Sequence, residues 1–98
     1  MKVAWTEASA AHVESIRNYI ACDSRRNAER FAERIVQKGD SVGTLPEAGA
    51  IVPEYKSPEI REVFEGSYRI IYRIFSDRVD ILAVIHGARR LPRIQGAD

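Results

Sequence analysis

The segment from residue 61 to residue 90, REVFEGSYRIIYRIFSDRVDILAVIHGARR, constrains the fold more than any other part of the chain. Two runs of strand-forming residues are joined by only Ser76-Asp77, which predicts a tight antiparallel hairpin, and a third strand precedes Gly66. The two-residue turn sets a register in which the facing pairs are Ile74 and Val79, Arg73 and Asp80, Tyr72 and Ile81, and Tyr68 and Ile85.

Side chains alternate between the two faces of a sheet, and the two faces predicted here differ in chemistry. The first is apolar and needs a covering layer; it holds Tyr68, Ile70, Tyr72, Ile74, Val79, Ile81, Ala83 and Ile85. The second is half polar and holds Arg69, Ile71, Arg73, Asp80, Leu82, Val84 and His86. We expect a functional site on the second face or at its rim. Cross-strand ion pairs are expected there between Arg73 and Asp80 and between Arg69 and Glu62.

The composition predicts one globular domain that holds no metal or other cofactor. The chain has 98 residues, 45% apolar and 30% charged, and its formal net charge is only +1. Such a balance argues against sequence-blind binding to nucleic acid or to a membrane. A single cysteine excludes an internal disulfide, and two distant histidines add little to it as metal ligands. The N-terminal residues lack the apolar core of a signal peptide, so we expect a cytoplasmic protein.

Along the chain the pattern predicts a strand at 1–5, a helical hairpin at 6–39, a loop at 40–58, antiparallel strands at 59–87 and a basic tail at 88–98. Thr6 is the expected N-cap of the first helix, and Asp23 or Ser24 that of the second. Lys38-Gly39 is the expected stop of the second helix. The helical hairpin is the natural cover for the apolar face of the sheet. The fold class is therefore α+β, a two-layer domain.

The tail is the segment in which we expect function. Arg89, Arg90 and Arg93 lie within five residues of one another and serve no obvious core. Leu91-Pro92 cannot pair as part of a central strand. The structural alternative is a solvated terminus.

The chain resembles the RelE/ParE superfamily of bacterial toxins over nearly its whole length. The motifs that carry the resemblance are Ile60-Arg61-Glu62, the run from Ser67 to Arg73 (SYRIIYR), and ILAVIHG from Ile81 to Gly87 followed by Arg89-Arg90. Trp5, Tyr19-Ile20, Ala28 and the loop Pro46…Gly49…Val52-Pro53-Glu54 are similar to the ParE branch. Ala50 departs from that branch, in which an arginine often follows the loop glycine.

The resemblance implies one of two mechanisms. RelE-like members cut messenger RNA in the ribosome with basic residues and often a tyrosine, whereas ParE-like members inhibit DNA gyrase by binding it. Aligned on Tyr68-Arg69, this chain places Ile60 and Glu62 where the RelE type has lysines, and Gln95 where it has the tyrosine. An apolar residue and a carboxylate do not hold a phosphate, so the substitutions favour the ParE mechanism.

Three functions remain open on these grounds. The first is a ParE-type gyrase inhibitor, not an enzyme, whose target-binding residues are Arg69, His86, Arg89, Arg90 and Arg93. The second is a ribosome-dependent endoribonuclease in which Glu62 and His86 share one face as the acid–base pair, with Arg69 and Arg89 on the phosphate. The third is a degenerate toxin that only binds an antitoxin. The resemblance also implies a cognate ParD-like antitoxin that forms a hetero-oligomer with this chain.

Overall fold

A computed structural model describes residues 1–97, so Asp98, the last residue of the predicted tail, lies outside the described residues. The elements are β1 (Lys2–Trp5), α1 (Glu7–Ala21), α2 (Arg25–Ser41), a 3₁₀ turn (Pro46–Ala48), β2 (Ala50–Ile51), β3 (Ile60–Glu65), β4 (Tyr68–Ile74) and β5 (Arg78–His86). The five strands form one sheet in the order β1-β5-β4-β3-β2. β1 runs parallel to β5, and the other pairs are antiparallel.

The predicted α+β fold class is confirmed, and the sheet is larger than the predicted meander. β1, which confirms the predicted first strand, and the short β2 extend the three strands of the meander at its two edges. α1 and α2 cover one face, where the main core forms around Ile16, Ile35, Ile70, Tyr72 and Ile81. Neither helix within the described part of the chain has the length and apolarity that a membrane-crossing helix requires.

Polar caps begin both helices, as their sequences predict. The Thr6 hydroxyl accepts the Ser9 amide at 3.2 Å, and the Ser24 hydroxyl accepts the Asn27 amide at 3.2 Å. Ser24, rather than Asp23, is therefore the cap of α2. Each hydroxyl satisfies an amide that the first helical turn leaves without a backbone partner.

The prediction that α2 stops at Gly39 is wrong, because the helix continues to Ser41. Gly39 is instead the point at which the Trp5 ring packs against the helix. A Cβ atom at residue 39 would lie 2.4 Å from Cζ2 of Trp5. The ring is held in place by a hydrogen bond from its Nε1 to Asp40 Oδ1 at 2.8 Å. The close packing of the Trp5 ring, rather than a turn that ends the helix, thus explains why residue 39 is a glycine.

A bulge in β5 changes the predicted register. Ile74, Arg73 and Tyr72 face Val79, Asp80 and Ile81 as predicted. Ile71 then pairs with Ala83, so Leu82 is the extra residue, and Tyr68 faces His86 rather than Ile85. An inserted residue reverses the facing of every side chain beyond it.

The predicted faces are consequently wrong for the second half of β5. Val84 packs in the core beneath the helices, and the His86 ring meets the Tyr68 ring edge-on at 5.2 Å between centroids. Ala83 and Ile85 lie in the opposite cluster, on the face away from the helices. The predicted half-polar face is therefore largely apolar.

That second face is covered by the chain itself. Val52 and Tyr55, from the loop after β2, and Leu91, Ile94 and Ala97, from the tail, pack over Ile60, Ile71, Leu82, Ala83 and Ile85. The face that we expected to be functional is thus a second core. Leu91, Ile94 and Ala97 recur every third residue, which is the signal in the sequence that the tail is packed.

Of the two predicted ion pairs, one forms as expected. Arg69 binds Glu62. Arg73 does lie opposite Asp80 in the register, but the ion pair of Asp80 is with Arg78, 2.9 Å away. Arg73 donates to the Gly96 carbonyl at 2.9 Å and so helps to hold the tail.

We predict that Gly39→Ala destabilises the protein although alanine is the better helix former. The helical gain is about 1 kcal/mol, whereas overpacking against a pinned ring costs about 1–3 kcal/mol. Urea unfolding should therefore give a lower free energy of unfolding for the variant. In a Trp5→Leu background, which vacates the space, the same substitution should become stabilising. A gain in stability with Trp5 present would contradict the packing interpretation.

Candidate binding surfaces

Arg69 is held by two carboxylates, in an arrangement that we call the Arg69 clamp. Its Nε donates to Glu62 Oε1 at 2.6 Å, and its terminal nitrogens donate to the two oxygens of Glu54 at 2.9 and 3.0 Å. Arg69 and Glu62 are each only 7% exposed, whereas Glu54 is on the surface. β3 and β4 position the first two residues, and the loop after β2 supplies the third.

The electrostatics of the clamp favour charged forms. The hydrogen bonds from Arg69 lower the pKa of Glu54. The same hydrogen bonds to Glu54 are the largest cause that raises the pKa of Arg69, and the hydrogen bond to Glu62 is a smaller one. A bidentate guanidinium–carboxylate contact is among the stronger polar interactions in proteins. Any external ligand of Arg69 would have to displace these carboxylates. The sequence predicted Glu62 as a partner but gave no sign of Glu54.

A groove of about 500 Å³ lies on the other face of the sheet, between α1 and the end of β5. We call it the α1–β5 groove. Its floor is largely apolar, and Tyr19, a wall residue, is 76% exposed. Among the described residues no acidic side chain lines it; the lining residues are His12, Ser15, Ile16, Tyr19, Tyr68, Val84, Ile85, His86, Arg89 and Pro92.

Both histidines of the groove are oriented by the backbone. The Val84 amide donates to Nδ1 of His12 at 3.1 Å, and the Ala88 amide donates to Nδ1 of His86 at 3.1 Å. An accepting nitrogen carries no proton, so Nε2 of each ring is left as the donor. Burial, and then the charge of Arg89, lowers the pKa of His12. With Arg89, the groove therefore offers donors and suits an apolar ligand that bears an acidic group.

The structure separates the predicted site residues into three places. Arg69 and Glu62 are in the clamp, His86 and Arg89 line the α1–β5 groove, and Arg90 and Arg93 are exposed elsewhere on the tail. The prediction that Glu62 and His86 share one face is wrong, because the bulge at Leu82 places His86 on the helix side.

Sequence reasoning missed the contribution of α1 to the groove. His12, Ile16 and Tyr19 are spaced by four and three residues, so they share one face of the helix. That spacing was visible in the sequence. The groove itself was not, because its other wall depends on the bulge. Within residues 1–97 no three His, Cys, Asp or Glu side chains are placed to hold a metal ion together.

Comparison with a solved structure identifies the class of fold. The chain resembles a chain of the chromosomal ParDE TA system from P. aeruginosa with a TM-score of 0.73 and 20% sequence identity. The match covers 88% of this chain and 95% of that one. The chain therefore shares its fold with that chain of a ParDE TA system.

Sequence comparisons then give the family. The profile of the ParE toxin of type II toxin–antitoxin systems, parDE, matches residues 3–91. Toxin RelE2 of Caulobacter vibrioides is 33% identical over 89 residues, which cover 90% of this chain and 97% of that protein. The chain belongs to the ParE toxin family of type II toxin–antitoxin systems.

We predict that Arg69→Met destabilises the protein by about 3–5 kcal/mol, because Glu62 would be left as a buried, unpaired charge. Adding Glu62→Leu to that variant should restore most of the loss, since the charge is then removed as well. The measurement is urea unfolding at neutral pH. Arg17→Met is the matched control, because the pairs of Arg17 with Glu14 and Glu29 are exposed and exposed ion pairs contribute little to stability. Equal losses for the two arginines would contradict a buried clamp.

Proposed function

We propose that this ParE-family toxin inhibits DNA gyrase by binding it, and that a ParD-like antitoxin neutralises it. The observation that carries the proposal is the burial of the surface where a ribonuclease of this superfamily would hold RNA. Ile60 is 1% exposed, and Glu62 and Arg69 satisfy each other in the clamp. Cations that are already paired and buried are poorly placed to stabilise a developing phosphate charge.

The position of His86 weakens the ribonuclease alternative further. General acid and general base must both reach the same reacting phosphodiester. His86 lies beside Tyr68 on the helix side, whereas Glu62 lies on the side covered by the tail. A ribonuclease would have to use a different pair of residues.

The exposed cations of the tail support a binding mechanism. Arg89, Arg90 and Arg93 are all on the surface, and the stretch that carries them is anchored by the packing of Leu91 and Ile94. Anchoring lowers the conformational entropy that the tail loses on binding a partner. We therefore assign contact with the target to this basic stretch.

The α1–β5 groove supports an antitoxin as its occupant. The relative of known structure belongs to a ParDE TA system, so we infer a ParD-like partner for this chain as well. An amphipathic helix can place its apolar side on the groove floor. A carboxylate on that helix would meet Arg89 and the Nε2 donors of the histidines. We therefore expect an apolar helix with an acidic residue, and a hetero-oligomer as the neutralised form.

The function is tested by inducing this chain alone and pulse-labelling DNA and protein synthesis in the same cells. Gyrase inhibition predicts that DNA synthesis fails first while translation continues, and purified gyrase should then be inhibited in a supercoiling assay. Early failure of translation would instead establish the ribonuclease alternative. If neither falls, the chain is an antitoxin-binding module without toxic activity.

A pair of variants should separate the two proposed surfaces. Arg90→Ala with Arg93→Ala is expected to lower gyrase inhibition at least about tenfold and to leave antitoxin affinity unchanged, since neither residue lines the groove. Tyr19→Ala is expected to lower antitoxin affinity by a similar factor and to leave gyrase inhibition unchanged. Supercoiling assays and calorimetry measure the two effects.

The control for the tail variant is Arg25→Ala with Arg26→Ala. These two exposed arginines begin α2, and their removal changes the net charge equally. Equal loss of inhibition in both double variants would show that overall charge, rather than the tail, determines target binding.

A further inference from the structure

We infer that Arg69 and Glu54 position the basic tail, acting through the loop of residues 52–58 and the hydroxyl of Tyr55. In this interpretation Arg69 does not itself touch the target. The inference rests on the proposed function in one respect, which is that the tail contacts a target. The contacts that link the clamp to the tail do not depend on what that target is.

The first link is between the clamp and the loop. The backbone of the loop turns tightly, with the amides of Tyr55 and Lys56 both donating to the Val52 carbonyl at 3.1 and 3.0 Å. Lys56 adopts a φ of 52°, a left-handed conformation that is costly for a residue with a side chain. Such a turn persists only when its surroundings hold it. The bidentate contact from Arg69 to Glu54 fixes the residue directly before Tyr55.

The second link is between the loop and the tail. The Tyr55 hydroxyl accepts the backbone amide of Ile94 at 3.3 Å, and Tyr55 also packs with Ile94 in the second core. Ile94 is 4% exposed and directly follows Arg93. A buried amide without a partner costs free energy, so this acceptor favours one placement of the tail.

The tail depends on such contacts because it has no regular structure of its own. No helix or strand follows β5 within the described residues. Side-chain contacts at Leu91 and Ile94 and the bond from Arg73 to the Gly96 carbonyl therefore hold it. A segment with few backbone hydrogen bonds opens locally at low cost. Loosening the loop should consequently release the tail before the rest of the protein unfolds.

The test is hydrogen exchange at the Ile94 amide in the isolated toxin, with Glu54→Ala and Tyr55→Phe as variants. Glu54→Ala is preferred to a substitution of Arg69 because it leaves the buried Arg69–Glu62 pair intact. Loss of one hydrogen bond should speed exchange about fivefold in Tyr55→Phe, and Glu54→Ala should speed it about threefold. Because the clamp acts through Tyr55, the double variant should exchange no faster than Tyr55→Phe alone.

The matched control is Glu14→Ala, which removes an exposed carboxylate that pairs with Arg17 and leaves the loop untouched. It should leave exchange at Ile94 unchanged. Glu54→Ala should also weaken gyrase inhibition while the three tail arginines remain in place.

Two results would overturn the inference. The first is an unchanged exchange rate of the Ile94 amide in Glu54→Ala. The second is a double variant whose exchange rate rises by the product of the two single increases, since the two residues would then act independently. Both are measured without any target. A failure of this inference is therefore distinguishable from a failure of the gyrase proposal, which pulse-labelling decides.

Discussion

The extra residue at Leu82 in β5 is the constraint on which the arrangement of this protein depends. Before it, β5 alternates in step with β4; after it, every side chain faces the opposite way. Val84 thereby joins the core beneath the helices, and Ala83 and Ile85 create an apolar surface on the other side. That surface requires the tail and the loop after β2 as its cover. One inserted residue thus gives a thin sheet two cores and places His86 in the groove.

The Arg69 clamp shows how a buried charge can be tolerated next to such a core. A guanidinium withdrawn from water loses much solvation free energy, which must be offset by well-oriented partners. Glu62 supplies one from the neighbouring strand, and Glu54 supplies two oxygens from a distant loop. Because its carboxylates come from β3 and from the loop after β2, the clamp ties that loop to the sheet.

Local patterns predicted the elements well, since caps, turns and alternation depend on neighbouring residues. The Ser76-Asp77 turn, the Thr6 cap and the strand register up to Tyr72 were all readable from the sequence. The bulge was not, because residues 81–85 are all apolar and their pattern therefore fits either face. Because the bulge at Leu82 was not predicted, His86 was predicted on the same face as Glu62, whereas the two side chains lie on opposite faces of the sheet. Contacts between residues far apart in the sequence, such as Arg69 with Glu54 and Ile94 with Tyr55, could not be predicted from the local spacing of residues.

Trp5, the one tryptophan of the sequence, has a consequence for spectroscopy. Its indole packs on Gly39 and is hydrogen-bonded to Asp40, so its emission reports on the docking of β1 against α2. In the described part of the chain, the aromatic side chain of the second core is that of Tyr55, so this core contains no tryptophan. Tryptophan fluorescence would therefore follow the opening of the helical layer and remain largely silent while the tail detaches. Unfolding curves from fluorescence and from circular dichroism need not coincide for this protein, and a difference between them would separate the two layers.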